Sequence, residues 1–383
     1  MLTNRINFKN FKIKKNFKFK FNLLSEFKKK NEILSSLSED YKDSFNKKEL
    51  NKFKKSSNFR LIGMGGSTLG AQAIYDFLST KVKKNFEFVD NLKNFQNKNL
   101  KNKIVNIVIS KSGNTIETIT NANILIKKKD KNIFITENKE SSLYLLAEKL
   151  KADIIHHNNF IGGRYSVLSE VGMVPAELMG LSSNHFRQFN SLIKNKRFLN
   201  ALIMNVAATR NFIKKKKFNS VIINYDEKSD NLFKWYQQLI AESLGKKNTG
   251  LLPIISNMPK DNHSVMQLYL DGFKNNFFTF FYVNENKTNK IKNKNLLPSQ
   301  KFLKNKKISN IIFFQKKATE NVFVKKNIPF RSFEIKKRDE KSLGELFCFF
   351  VLETILLGKC LNLNPYDQPA VELIKKETKR LLI

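Results

Sequence analysis

Short apolar strands alternate with helical stretches along most of this chain, and no hairpin signal separates one strand from the next. In the first half, the apolar runs of strand length are residues 59–62, 86–89, 104–109, 132–136 and 152–156. Strands joined by helical crossovers run parallel, because a crossover returns the chain to the edge of the sheet from which it started. The alternation therefore predicts an α/β fold built on a doubly wound parallel sheet.

The same pattern repeats in the second half of the chain. Its predicted strands are residues 220–225, 249–256, 276–283, 310–314 and 330–335. Residues 175–213 are helical in pattern, and residues 284–309, rich in Lys and Asn, indicate a solvated insertion. A chain of 383 residues is long enough for two domains of ordinary size.

We therefore predict two αβα domains, at residues 57–178 and 179–341, each with a parallel sheet. Residues 1–56 form a helical packing arm without a catalytic role, based on Phe/Lys alternation followed by helix-like spacing of apolar residues (Leu23, Phe27, Ile33, Leu34 and Leu37). Residues 342–383 form C-terminal helices, the first of them almost wholly apolar, and Asp367 is placed to cap the last one.

Two loops that combine glycine with hydroxyl groups follow strands of the first predicted sheet. One is the glycine loop, residues 63–70 (GMGGSTLG), and the other is residues 110–118 (SKSGNTIET). The carboxyl ends of parallel strands lie at one edge of the sheet, where such sheets bind ligands. Hydroxyls and the free N–H groups of a following helix suit a phosphate dianion.

Other interpretations of the two loops stay open at this point. Residues 110–118 also fit an ordinary strand-to-helix turn with a Ser or Thr cap. The glycine loop resembles a dinucleotide-binding turn, but Thr68 stands where the third glycine of G-x-G-x-x-G is expected. Asp90, about 20 residues further on, matches the ribose-binding acid of that motif.

Four residues far apart in the sequence are candidates for chemistry. Arg164 follows two glycines and can stabilise a developing negative charge, unless it is a buried structural arginine. Glu242 falls in the last turn of a predicted helix, where the helix dipole disfavours a carboxylate. His263 is either functional or a helix cap, and Lys375 is either functional or half of a surface pair with Glu372.

Composition narrows the partners. The formal charge of +37 would suggest nucleic acid, but the excess Lys is spread over the whole chain and rises together with Asn, Ile and Phe, as A/T-rich codons would cause. We expect no specific nucleic-acid partner, no membrane span and a cytoplasmic location. Cys348 and Cys360 lie in an apolar segment without ligands at metal spacing, so we expect reduced core residues.

Taken together, the motifs resemble the glucose-6-phosphate isomerase family, also called phosphoglucose isomerases. The C-terminal run from Gly358 to Lys375 fits the terminal signature of that family at every defined position. Residues 159–172, which include Gly162-Gly163-Arg164-Tyr165-Ser166, fit the second signature except at Glu170, where the family usually has a small residue. Further matches occur in the family's order at residues 63–70, 110–118, 241–246 and 263–267.

The resemblance implies two sugar isomerase (SIS-type) domains and a substrate that is a sugar phosphate. It implies interconversion of glucose 6-phosphate and fructose 6-phosphate through a cis-enediolate, without metal or cofactor. It assigns Glu242 as the base, Arg164 as the cation beside the enediolate, and His263 with Lys375 to ring opening. The substrate-binding residues that it implies are Gly66, Ser67, Ser110, Lys111, Ser112, Thr115, Thr118, Gln238 and Gln368.

In this family the histidine comes from a second subunit, so the resemblance also implies a homodimer. Two alternatives share the domain type. One is a bifunctional phosphoglucose/phosphomannose isomerase, against which the two signatures argue. The other is a sugar-phosphate-sensing regulator, which would not need Glu242, His263 and Lys375 together.

Overall fold

A computed structural model describes residues 2–12, 27, 31–94 and 104–383 of the chain. Leu23, counted above in the helical stretch of the arm, lies outside these residues. The described part of the arm holds one strand, β1 (Ile6–Lys9), and two short helices, α1 (Glu32–Ser36) and α2 (Asn51–Lys54). The sequence analysis predicted a helical arm, but the arm also contains a strand. Its alternation of apolar and polar residues near Phe8 has the period of a strand.

The first unit is a sheet of five parallel strands with helices on its faces. Its elements are β2 (Asn58–Gly63), α3 (Gly66–Phe77), β3 (Asn85–Val89), β4 (Val105–Ile109), α4 (Ile116–Leu125), β5 (Lys131–Thr136), α5 (Ser142–Lys149) and β6 (Asp153–His156). The strand order is β3-β2-β4-β5-β6, and every pair is parallel. The order reverses between β2 and β4, so a crevice opens beyond their carboxyl ends.

Three helices connect the two units. They are α6 (Glu170–Met179), α7 (Phe189–Lys194) and α8 (Lys196–Lys214), and a 3₁₀ turn at Gly163–Leu168 precedes the first of them. Every residue of α6 is buried, although the helix contains Pro175 and two glutamates. The segment that carries Arg164 is therefore held in the core between the two sheets.

The second unit repeats the first four strands of the first, and a strand of the arm takes the place of the fifth. Its elements are β7 (Asn219–Asn224), α9 (Asp230–Leu244), β8 (Leu252–Asn257), α10 (Met266–Asp271), β9 (Asn276–Val283), α11 (Ile308–Lys325) and β10 (Phe330–Ile335). The order is β1-β10-β9-β7-β8, in which β1 alone runs antiparallel. Both sheets confirm the α/β class, although the arm supplies an edge strand that the sequence did not predict.

Residues 310–314 do not form the strand that the sequence suggests, because they lie in α11. Their sequence, NIIFF, is an apolar run of strand length, and such a run cannot be told from a helix by periodicity alone. In the helix, Ile312 and Phe313 pack against the core of the second unit while Phe314 is 56% exposed.

The last two helices are α12 (Glu340–Cys360) and α13 (Pro369–Leu382). Residues 342–358 of α12 are all buried, and the helix packs between α8 and α9. Helix α3 of the first unit packs against α9 of the second. None of the helices in the described part of the chain is long and apolar enough to cross a membrane.

Candidate active site

A cavity of about 660 Å³ opens at the crevice of the first sheet. Seven of the residues predicted for the site line it, and they come from three separate segments: Ser67, Ser110, Lys111, Ser112, Thr115, Gln368 and Lys375. Strands β2 and β4 pair so that Gly63 lies beside Ile109, which brings the two predicted loops together at this edge. The topology of the sheet thus explains why loops 40 residues apart share one cavity.

The hydroxyl loop, residues 110–115, leaves the start of α4 uncapped. Thr115 is the N-cap residue, but its side chain makes no capping hydrogen bond. Its Oγ1 lies 2.9 Å from Oγ of Ser110 instead. The ordinary capped turn, considered above, is therefore wrong, and the first N–H groups of α4 donate no hydrogen bond to that side chain. Such N–H groups favour an anion.

Strand β5, helix α5 and Ser141 before that helix fix the shape of the hydroxyl loop. Ser110 N donates to Ile135 O at 3.1 Å, and Leu143 N donates to Gly113 O at 3.0 Å. Gly113 has a φ of +67°, and a Cβ there would lie 2.0 Å from Oγ of Ser141. A side chain at position 113 would therefore separate the hydroxyl loop from Ser141.

Arg164 is 2% exposed and donates along its whole guanidinium edge. Its Nε reaches Ser243 Oγ at 2.7 Å, its Nη1 reaches Gln368 Oε1 at 2.7 Å, and its Nη2 reaches Pro365 O at 2.7 Å. These contacts join the signature segment to α9 and to the start of α13. Because the geometry is fixed from three sides, the cation is pre-positioned.

Glu242 pairs with this arginine. Its Oε1 lies 3.4 Å from Nη1 of Arg164, and its Oε2 accepts from Nε2 of Gln238 at 3.0 Å. The side chain of Glu242 is 20% exposed and does not itself line the cavity. Gln368, bonded to the same Nη1, does line it. The carboxylate thus lies just behind the wall of the cavity.

Gly66 allows the first unit to approach the arginine segment closely. A Cβ on Gly66 would lie 2.2 Å from the carbonyl carbon of Gly163. No side chain fits there, so the start of α3 and the turn that carries Arg164 contact each other through their backbones. The packing thus requires glycine at position 66, whereas a Cβ on Gly163 would lie 3.9 Å from Cα of Gly66, an ordinary contact.

The final helix brings Lys375 to the cavity, where its Nζ lies 2.7 Å from Oε1 of Glu372. The sequence analysis predicted that Asp367 caps this helix, and that prediction is wrong. The N-cap is Gln368, without a capping bond, and Asp367 pairs with Lys246. That hydrogen bond lowers the pKa of the Asp367 carboxyl below its usual value.

Two predicted residues lie elsewhere. Thr118 is 1% exposed in α4, and its hydroxyl has no hydrogen-bond partner among the described residues. His263 is exposed, at the end of a 3₁₀ turn (Lys260–His263) after β8, and is not among the described residues that line the cavity. The structure of the single chain therefore does not bring His263 to the other candidates.

Sequence reasoning missed several lining residues, namely Asn31, Glu32, Ile33, Glu137, Phe160, Tyr366 and Glu372. The first three belong to the arm, which was predicted to have no part in the site. Asn31 caps α1 through its Oδ1 and donates from Nδ2 to the hydroxyl of Tyr366 at 3.0 Å. An Asn before an acidic first turn is a helix-start signal, but it does not predict the partner.

Glu170, where the sequence departs from the family signature, connects the arm to α6. It is 1% exposed, and its Oε1 accepts from Tyr41 at 2.8 Å and from Ser44 N at 3.4 Å. Burial raises the pKa of Tyr41, so its hydroxyl keeps the proton that it donates. The departure thus has a structural partner in the arm.

The two sheet units share their fold with solved structures of phosphosugar isomerases. A glucose-6-phosphate isomerase from Chlamydia trachomatis shares this fold, with a TM-score of 0.72 at 18% identity, covering 91% of this chain and 78% of that one. A hypothetical protein from Thermus thermophilus is similar at a TM-score of 0.81 and 21% identity, covering 94% and 92%.

The sequence comparisons are more specific. The family model for phosphoglucose isomerase matches residues 22–382. The glucose-6-phosphate isomerase of Methanocaldococcus jannaschii is 32% identical over 363 residues, which is 89% of each chain. The chain belongs to the phosphoglucose isomerase family.

Proposed function

We propose that the cavity binds the open-chain sugar phosphate with its phosphate at the hydroxyl loop and that Glu242 moves a proton between C1 and C2. The overall reaction, the interconversion of glucose 6-phosphate and fructose 6-phosphate, is that of the family to which the chain belongs. The observation that carries the proposal is the Arg164–Glu242 pair, joined through Gln368 to the wall that the hydroxyl loop also lines.

The phosphate end depends on hydroxyls and on the helix N-terminus. Ser67, Ser110, Ser112 and Thr115 donate to the phosphate, and the N–H groups at Gly66 and Lys111 and at the start of α4 add dipoles of favourable sign. Thr118 acts from beneath the loop, because its buried hydroxyl lacks a partner among the described residues. These contacts are the same before and after proton transfer, so they serve binding.

At the carbon end, Glu242 removes the C2 proton of the open-chain aldose, and the electron pair shifts to give the enediolate. The carboxylic acid then returns the proton to C1, and the hydroxyl proton passes from O2 to O1, which gives the ketose. Arg164 stabilises the negative oxygen, and its buried, fixed guanidinium needs no reorganisation. Gln238 and Gln368 orient the hydroxyls, since each already contacts Glu242 or Arg164.

Ring opening needs a proton donor at the ring oxygen and a proton acceptor for the anomeric hydroxyl, whose oxygen becomes the carbonyl. We assign Lys375, which lines the cavity, and His263 of a partner subunit. Exposure of His263 makes it available to a second copy of the chain, and this supports a homodimer with shared sites. For the compartment we propose the cytoplasm, where thiols stay reduced. Cys348 is buried, and burial raises the pKa of Cys360 to about 12.

The test is Glu242→Gln, which keeps the shape and the contact with Gln238. We expect kcat to fall by about 10³-fold or more, with the dissociation constant for fructose 6-phosphate within about threefold of wild type. A coupled assay gives kcat and calorimetry gives binding, with mannose 6-phosphate tested beside glucose 6-phosphate. Glu227→Gln, an exposed carboxylate before the same helix, is the control. Substantial turnover by Glu242→Gln would remove the base assignment.

A further inference from the structure

A carboxylate lines the cavity beside the hydroxyl loop. Glu137 is the first residue after β5, and Lys111 is the second after β4. The two strands are neighbours, and Glu137 N donates to Lys111 O at 3.1 Å. Both side chains line the cavity, and that of Glu137 is 15% exposed. A fixed negative charge thus stands next to the place where a dianion binds.

The neighbouring lysine is held by other groups. Lys111 Nζ donates to Asn159 O at 2.7 Å and lies 3.7 Å from Oε1 of Glu137. The other carboxylate oxygen of Glu137 lies 3.9 Å from Lys139 Nζ. The ammonium group of Lys111 is thus held against Asn159 and Glu137. The hydroxyls and the helix N–H groups are therefore left as donors to the phosphate.

The cavity differs in charge from the chain around it. The chain carries +37, but the residues described by the structure that line the cavity include the three carboxylates of Glu32, Glu137 and Glu372 against the two ammonium groups of Lys111 and Lys375. A strongly basic protein attracts anions of every kind to its surface. The carboxylates of the lining therefore repel anions at short range, whereas the positive charge of the whole molecule attracts them at long range.

We propose that Glu137 is a specificity-determining residue that limits the negative charge which the cavity accepts. It repels the bound anion and holds Lys111 toward Asn159, so that a sugar monophosphate binds through hydroxyls and dipoles. Inorganic phosphate, pyrophosphate and sugar bisphosphates then compete poorly. The inference rests on the proposed function, because it takes the hydroxyl loop as the phosphate site.

The experiment measures competitive inhibition of the isomerase by inorganic phosphate and by pyrophosphate, in wild type and in Glu137→Gln. Removing one charge and freeing Lys111 should lower the inhibition constant for phosphate by about three- to tenfold, and that for pyrophosphate by more, because its charge is larger. KM for glucose 6-phosphate should fall as well. Added salt should shrink these differences, since exposed charges are screened.

The matched control is Glu140→Gln, which removes the same charge. Glu140 lies three residues after Glu137, and its exposed side chain does not line the cavity. Glu137→Ser is a second neutral variant, should the glutamine variant fold poorly. Inhibition constants that do not change in the Glu137 variants, that rise, or that fall equally in Glu140→Gln would overturn the proposal. Failure of the proposed phosphate site has a separate signature, because Ser112→Ala with Thr115→Ala would then leave KM and the inhibition constants unchanged.

Discussion

The hydroxyl groups of Ser112 and Thr115 differ from most surface hydroxyls because both line the cavity beside an uncapped helix start. Replacing both by Ala should raise KM for glucose 6-phosphate by about 10²- to 10⁴-fold, since each hydrogen bond to a charged group contributes about 1.5–3 kcal/mol. We expect kcat to stay within about threefold, because ground and transition states share these contacts. Steady-state kinetics measures both constants.

The control for this prediction is Ser142→Ala, which removes an exposed hydroxyl at the first residue of α5 that does not line the cavity. It should leave both constants unchanged. A loss confined to kcat in the Ser112 and Thr115 double variant would show that the loop acts in the proton transfer and not in binding.

At the scale of residues, the sequence predicted those lining residues that belong to short motifs. It did not predict those that reach the cavity only through contacts between distant segments. The loops at residues 63–70 and 110–118 indicated Ser67, Ser110, Ser112 and Thr115, all of which line the cavity. Glu137 could not be found in this way. Its position beside Lys111 follows from the pairing of β4 with β5, and no spacing pattern in the sequence states that register.

At the scale of elements, the two sheets share a topology but differ at their crevices. In the second sheet, Asp226 after β7 and Glu285 after β9 both pair with Arg338, at 2.6 Å each. The same arginine donates to Phe77 O at the end of α3 in the first unit. The second crevice therefore holds internal ion pairs of an arginine that also contacts the first unit, whereas the cavity lies at the first crevice.

Helix α12 carries a buried acid that ties it to the arm. Glu345 is 1% exposed, and its Oε2 accepts from Thr3 Oγ1 at 2.8 Å. Burial raises the pKa of Glu345 to about 7, against the opposing influence of Thr3 and Arg5. Between about pH 4.5 and 7 the folded state holds a proton that the unfolded state has released, so this group makes stability fall as pH rises.

The pKa of Glu345 rises from 4.5 to about 7 on folding, so the free energy of unfolding of wild type should fall by up to about 3 kcal/mol between pH 5 and pH 8. Glu345→Gln should not show this fall, because its side chain does not titrate. Urea unfolding at both pH values measures the difference between the two proteins. Glu49→Gln, an exposed carboxylate of the arm, should follow wild type. Parallel stability curves for wild type and Glu345→Gln would contradict the buried-acid account.

The sequence predicted the type of an element correctly where the hydrophobic pattern was long, and incorrectly where the pattern was short. Helix α12 and the parallel strands of the first sheet were predictable from apolar runs and their spacing. Strand β1 was not, although Phe8 packs on Phe333 with ring centroids 4.5 Å apart. A four-residue edge strand depends on its partner β10, more than 300 residues away, for its hydrogen bonds.

At the scale of the whole molecule, the proposed mechanism needs more than one chain. Glu242, Arg164 and Lys375 lie at or beside one cavity, whereas His263 is exposed outside it. If His263 of the partner subunit completes each site, a dimer has two composite sites, and each takes its carboxylate from one chain and its histidine from the other.

This arrangement predicts complementation between two inactive variants. Glu242→Gln and His263→Asn should each lose most activity, but a mixed dimer of the two contains one intact site and one doubly altered site. After equal amounts are unfolded and refolded together, about half of the dimers are mixed, so about a quarter of wild-type activity should return. The coupled isomerase assay measures the recovery, and the separately refolded variants are the controls. If no activity returned although mixed dimers had formed, as seen by differential tagging, each site would be built within one chain, and His263 would have to reach its own cavity by a movement of the turn after β8.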